Sequence, residues 1–149
     1  MKKIIFVCLG NICRSPAAEY VFKKIIKDRG LENNFEVISR ATSFEEVGND
    51  IYPPMKQELR RQDIPFNSHR ATRITQSDYD SADYIFYMEE TNKRSLDYMI
   101  KDTQNKIMPI YKFTSGITRI EDPWYSDRYE LVVTQITKCV NDILENIEF

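Results

Sequence analysis

Ile4-Ile5-Phe6-Val7-Cys8-Leu9-Gly10-Asn11-Ile12-Cys13-Arg14-Ser15-Pro16 decides how this chain folds. Residues 4–7 are four apolar side chains in a row, the pattern of a strand covered on both faces of a parallel sheet. Ser15-Pro16 reads as a helix start, with Ser15 suited to the N-cap and Pro16 to the first turn. Ala18, Val21, Phe22, Ile25 and Ile26 then recur at helical spacing, and Gly30 suits the stop. Strand and helix are joined by a short loop of the form Cys-x5-Arg, and any chemistry in this segment must lie there.

The rest of the chain continues the same alternation. Residues 35–38, 84–88 and 106–110 read as further strands. Pro53-Pro54 opens a helix carrying Met55 and Leu59, residues 91–100 form another, and Leu131 to Ile147 place seven apolar side chains on one face of a last helix. Strands alternating with helices predict an α/β fold: a four-stranded parallel sheet in a three-layer α/β/α sandwich of flavodoxin-like topology. No repeat, low-complexity tract or linker interrupts residues 1–149, so a single domain is expected. Ligands of such sheets bind beyond the carboxyl ends of the strands, which is where Cys8 falls.

The net charge of -2 supplies no basic field, so nucleic acid is not an expected partner. No apolar run approaches the roughly 18 residues of a membrane span. Met1 to Val7 has the look of a signal peptide, but its apolar part is too short and the residues after it read as a functional loop. A cytoplasmic protein is expected. The three cysteines, Cys8, Cys13 and Cys139, make an odd set with no disulfide framework. With His69 the sole histidine, no metal site is expected, and no cofactor.

An anion bound by this chain must therefore be held locally, and the loop has the means. Backbone amides from Leu9 through Gly10, Asn11, Ile12, Cys13 and Arg14 to Ser15 can curl around one tetrahedral anion, with Gly10 expected to supply unusual backbone angles. The helix start adds free N–H groups and the positive end of the dipole. The planar fork of Arg14 matches two phosphate oxygens. A thiol at a helix N-terminus beside arginine ionises readily, which makes Cys8 the expected nucleophile in phosphoryl transfer. Ser15 is placed to donate to the Cys8 sulfur. A buried cysteine at a strand end is usually mere packing; here the motif and its strand–helix context agree. A poor leaving group also needs a proton donor. Asp122, before Pro123, Trp124 and Tyr125, is the candidate, with the two aromatics as walls for a substrate ring. Spacing alone leaves Asp-Pro as ordinary turn punctuation.

Together these residues resemble the low-molecular-weight protein tyrosine phosphatases, along the whole chain. The segment Val7 to Pro16 matches that family's signature, and Asp122-Pro123 falls where the family keeps its general acid. The resemblance implies a phosphotyrosine protein phosphatase I-like fold. It implies an enzyme acting on phosphotyrosine proteins or small aryl phosphates through Cys8, Arg14 and Asp122. Asn11 matches a loop asparagine held in a strained conformation, its partners matching Ser15, Ser39 and His69. Cys13 matches a cysteine that forms a reversible disulfide with Cys8. The sequence departs from the pattern at Arg40, at Trp124, at Glu89 in place of aspartate, and at Glu45, where an aromatic is usual. Glu45 and Glu46 at the mouth would disfavour acidic phosphopeptides. Two relatives of the same fold compete. A thiol-dependent arsenate reductase needs two further cysteines, and only Cys139 remains. A phosphoarginine phosphatase looks to carry threonine where this chain has Ile12. A non-catalytic phosphate-binding or redox-sensing protein would need neither Cys8 nor Asp122.

Overall fold

The run at 4–8 is buried because its strand lies inside the sheet, with a partner on each side. In the computed structural model, which describes residues 1–149, β1 (Lys2–Cys8) pairs in parallel with β2 (Phe35–Ala41) and with β3 (Tyr84–Tyr87). β3 pairs in turn with β4 (Ile107–Pro109), giving the order β2-β1-β3-β4. Successive side chains of β1 leave opposite faces. Ile4, Phe6 and Cys8 join a large cluster with α1 (Arg14–Asp28), α2 (Pro53–Arg61) and α6 (Tyr129–Asn146). Ile5 and Val7 join a smaller one with Tyr79 of α3 (Gln76–Ser81) and Leu96 of α4 (Glu90–Met99). Two helical layers thus cover one four-stranded parallel sheet, the expected three-layer arrangement.

Aromatic packing ties the first layer to the sheet. The Phe6 ring meets those of Phe22 and Phe86, each at 5.8 Å, and Phe22 meets Phe35 edge-on at 5.2 Å. Burying one such phenyl group stabilises by roughly 2–3 kcal/mol. Cys139 is fully buried on α6 among core side chains, as a small hydrophobe.

Several expectations need correction. Ser15 is not the N-cap of α1. The helix begins two residues earlier than that cap would place it, at Arg14, with Cys13 at the cap and no side-chain capping bond. The Ser15 hydroxyl is taken up by Cys8 and Asn11 instead. Two helices absent from the sequence reading also appear: α3, and α5 (Pro123–Ser126). At the other end of α1, Gly30 adopts φ +70 and returns its N–H to the Lys27 carbonyl, as a helix stop does.

In a sheet of order 2-1-3-4, consecutive strands run outward in opposite directions from the β1/β3 pair. Connections leaving those two strands open a crevice at their carboxyl ends. The residue at the end of β1 is Cys8.

Candidate active site

Directly after Cys8 the chain curls back on itself before entering α1. The Asn11 N–H reaches the Cys8 sulfur at 3.3 Å, and the Ser15 hydroxyl lies 3.0 Å from it. The left-handed residue of this loop is Asn11, at φ 60, and not Gly10. A Cβ at Gly10 would lie 3.3 Å from Cγ of Glu46, a tight contact that a shift of a few tenths of an ångström in that side chain would relieve.

Asn11 is fully buried and held on every polar atom of its side chain. Its Nδ2 donates to Ser15 Oγ and to Ser39 Oγ, both at 2.9 Å, and its Oδ1 accepts the Thr72 N–H at 3.0 Å. His69 Nε2 lies 2.6 Å from the Asn11 carbonyl. That oxygen can only accept, so His69 carries its proton on Nε2. The His69 backbone N–H is fixed in turn by Asp50 at 3.0 Å. The Asp50 carboxyl is held below its ordinary range, first by the Lys56 ammonium and then by the Ile51 and His69 amides.

These bonds also set hydrogen direction. Glu19 Oε1 can only accept, so Ser39 donates to it, at 2.7 Å. Ser39 Oγ is then the acceptor for Asn11. Ser15 Oγ likewise accepts from Asn11, which frees its own proton for the Cys8 sulfur; the Arg40 carbonyl, at 3.3 Å, is the other acceptor in reach.

Arg14 opens α1, and its guanidinium is buried. Nη1 donates to Glu89 Oε2 at 2.5 Å and to the Ile120 carbonyl at 3.0 Å, while Nη2 lies 3.5 Å from Asp122 Oδ2. Burial alone would lower this group. The charge of Cys8, the Glu89 bond and the Asp122 charge outweigh it, so the guanidinium is held above its ordinary value. Glu89 is held by its own neighbour, since Asn92 Oδ1 accepts the Met88 and Glu89 amides.

Asp122 caps α5. Its Oδ1 accepts the Trp124 N–H at 3.1 Å, and Pro123 occupies the first helical position. Together with Cys8 it lines a cavity of about 240 Å³. Trp124 and Tyr125 form part of the wall, both largely exposed, and the Trp124 ring meets Tyr52 at 5.2 Å. Tyr129 completes that side, its hydroxyl pushed up to about 12 by burial and by the charges of Cys13, Tyr52 and neighbouring aspartates. A larger, open depression of about 840 Å³ between α2 and α6 shares Tyr129 but has no nucleophile. Cys13 lines the same cavity as Cys8; burial and the nearby Cys8 push its thiol well above the usual range.

The structure thus brings together Cys8, Arg14, Asp122, the loop residues 9–15, Ser39, His69, Trp124 and Tyr125. Sequence reasoning missed Tyr52, Thr72, Glu19, Tyr129 and the role of Glu89 as a buttress for Arg14. Of these only Glu89 carried a local signal, as an acidic residue directly after a buried strand.

A family model described as low molecular weight phosphotyrosine protein phosphatase matches residues 3–148. The human low molecular weight phosphotyrosine protein phosphatase is 39% identical over 150 residues, covering 97% of this chain and 94% of its own. The crystal structure of YfkJ from Bacillus subtilis superposes with a TM-score of 0.94 at 31% identity, covering 99% of this chain and 94% of that one. That of SP-PTP, the low molecular weight protein tyrosine phosphatase from Streptococcus pyogenes, does so with a TM-score of 0.87 at 35% identity, covering 100% and 95%.

Proposed function

The chain belongs to the low molecular weight phosphotyrosine protein phosphatases, and from that premise we propose that it hydrolyses phosphotyrosine in proteins, and small aryl phosphates, through a phosphocysteine on Cys8. The observation that carries the assignment of roles is the convergence of Cys8, Arg14 and Asp122 on one cavity. It is a protein phosphatase, a hydrolase of phosphoric monoesters.

The phosphate dianion sits on the loop amides and the Arg14 fork. The Cys8 thiolate attacks phosphorus from below; the bond from phosphorus to the tyrosyl oxygen breaks, and Asp122 gives that oxygen its proton. The equatorial oxygens gain charge facing the loop N–H groups and Arg14. Water then attacks the phosphocysteine, its proton passing to the Asp122 carboxylate. Inorganic phosphate leaves, and the Ser15 hydroxyl steadies the returning sulfur anion. Ser39, His69 and Asn11 hold the loop open for the anion.

No helix is long and apolar enough to cross a membrane. We place the protein in the cytoplasm as one phosphatase domain over residues 1–149. Its three free cysteines suit a reducing compartment. We assign Cys13 as the redox partner of Cys8.

The test is Cys8→Ser. This variant is expected to lose turnover of p-nitrophenyl phosphate while still binding vanadate. A tenth of wild-type turnover in the variant would rule out the covalent route.

A further inference from the structure

The segment after β2 carries two carboxylates to the mouth of the Cys8 cavity, Glu45 and Glu46. Their turn is fastened to the phosphate loop. The Thr42 N–H donates to the Cys8 carbonyl at 3.0 Å, and the Ser43 N–H and hydroxyl donate to the Leu9 carbonyl at 3.1 and 3.0 Å. Glu46 is held further by Asn49 Nδ2 at 2.7 Å and packs its stem against Gly10.

Neither carboxylate has an ion-pair partner. Arg73, a cation beside the same turn, lays its guanidinium over Phe44 at 4.2 Å and gives Nε to the Thr42 carbonyl. The only cation lining the cavity is Arg14, buried at the floor and engaged by Glu89 and Asp122. The floor is therefore built for an anion and the rim carries unneutralised negative charge. Another part of the wall is aromatic, with Trp124 against Tyr52. A carboxylate rim and an aromatic face both attract a cation and repel an anion.

We propose that Glu45 and Glu46 select phosphotyrosine substrates with lysine or arginine beside the phosphorylated residue. This rests on the phosphatase reading above and adds a substrate class to it. The whole-protein charge of -2 is too small to impose such a preference from a distance. The selection is local, exerted by two side chains at the entrance.

The test uses two phosphotyrosine peptides that differ only in their flanking residues, lysines in one and glutamates in the other. An exposed ion pair changes an equilibrium by up to roughly fivefold. Two carboxylates attracting one peptide and repelling the other are expected to give a kcat/KM ratio of roughly tenfold in favour of the lysine peptide. Glu45→Gln with Glu46→Gln is expected to bring that ratio close to one, with p-nitrophenyl phosphate normalising each protein for any change in the loop. In wild type, raising salt from 0.05 to 1 M is expected to collapse the ratio, since the screening length falls to about 3 Å. Equal kcat/KM for the two peptides at low salt, or a preference that survives the double substitution, would overturn the proposal. Calorimetric binding of both peptides to Cys8→Ser reads the same preference without turnover. An enzyme inactive on every aryl phosphate would sink the phosphatase reading, while the binding ratio would still decide this one.

Discussion

Replacing Asn11 separates two things the phosphate loop depends on: the side-chain bonds that hold it and the left-handed backbone it must adopt. Asn11→Ala removes three hydrogen bonds, to Ser15, Ser39 and from Thr72. Each contributes about 1 kcal/mol net. Alanine at φ 60 adds about 1 kcal/mol of strain. The loss is expected to total about 4 kcal/mol, a large share of the stability of an ordinary domain. Asn11→Gly removes the same bonds without the strain, although glycine frees the unfolded chain by about 0.4–1 kcal/mol. The glycine variant is therefore expected to be as stable as the alanine variant or slightly more so, by up to about 0.6 kcal/mol. Urea unfolding of the three proteins measures both differences. Turnover of p-nitrophenyl phosphate measures the loop itself, and a displacement of about 1 Å is expected to lower kcat roughly 10²-fold. An alanine variant within 1 kcal/mol of wild type and fully active would refute the argument that these bonds hold the loop.

Other expectations are as specific. Asp122→Asn is expected to lose roughly 10²–10⁴-fold on phenyl phosphate and less on p-nitrophenyl phosphate, whose leaving group needs less protonation. Equal dependence on leaving-group pKa in both proteins would move the acid elsewhere, with Asp127 next. Glu89→Gln keeps an acceptor for Arg14 but removes its charge, and a loss of roughly tenfold in kcat/KM is expected; unchanged kinetics would mean that the Ile120 carbonyl and Asp122 suffice. Peroxide is expected to oxidise Cys8 to the sulfenic acid, which Cys13 then attacks to give a disulfide and water. Mass spectrometry would show that crosslink, and Cys13→Ser that recovers from peroxide as fully as wild type would remove the protective role.

What could be read from the sequence was whatever is local. The apolar run at 4–7, the loop behind it and the spaced apolar face of α1 lie within thirty residues, and their pattern is set by chain geometry. α3 escaped because its six residues bury only Tyr79, too little for a helical stripe. Its one signal was the capping pair Thr75 and Asp78, which bond each other's backbone. α5 is a single turn after Asp122-Pro123, and that pair was read as loop punctuation although it also suits a cap and first turn. Ser15 misled because a residue type that favours caps was wanted by a sulfur instead. Tyr52, Thr72 and Tyr129 come to the site from distant parts of the chain, and only the topology puts them there.

Cys8 ends a strand hydrogen-bonded on both sides, whereas Asp122 caps a helix of four residues at the surface. Segments open independently, each at its own free-energy cost, and a central strand opens last. Cys8 and Asp122, the proposed nucleophile and acid, therefore sit on segments of different opening cost. The short turn bearing Asp122 and Trp124 is expected to exchange its amide hydrogens faster than β1 does.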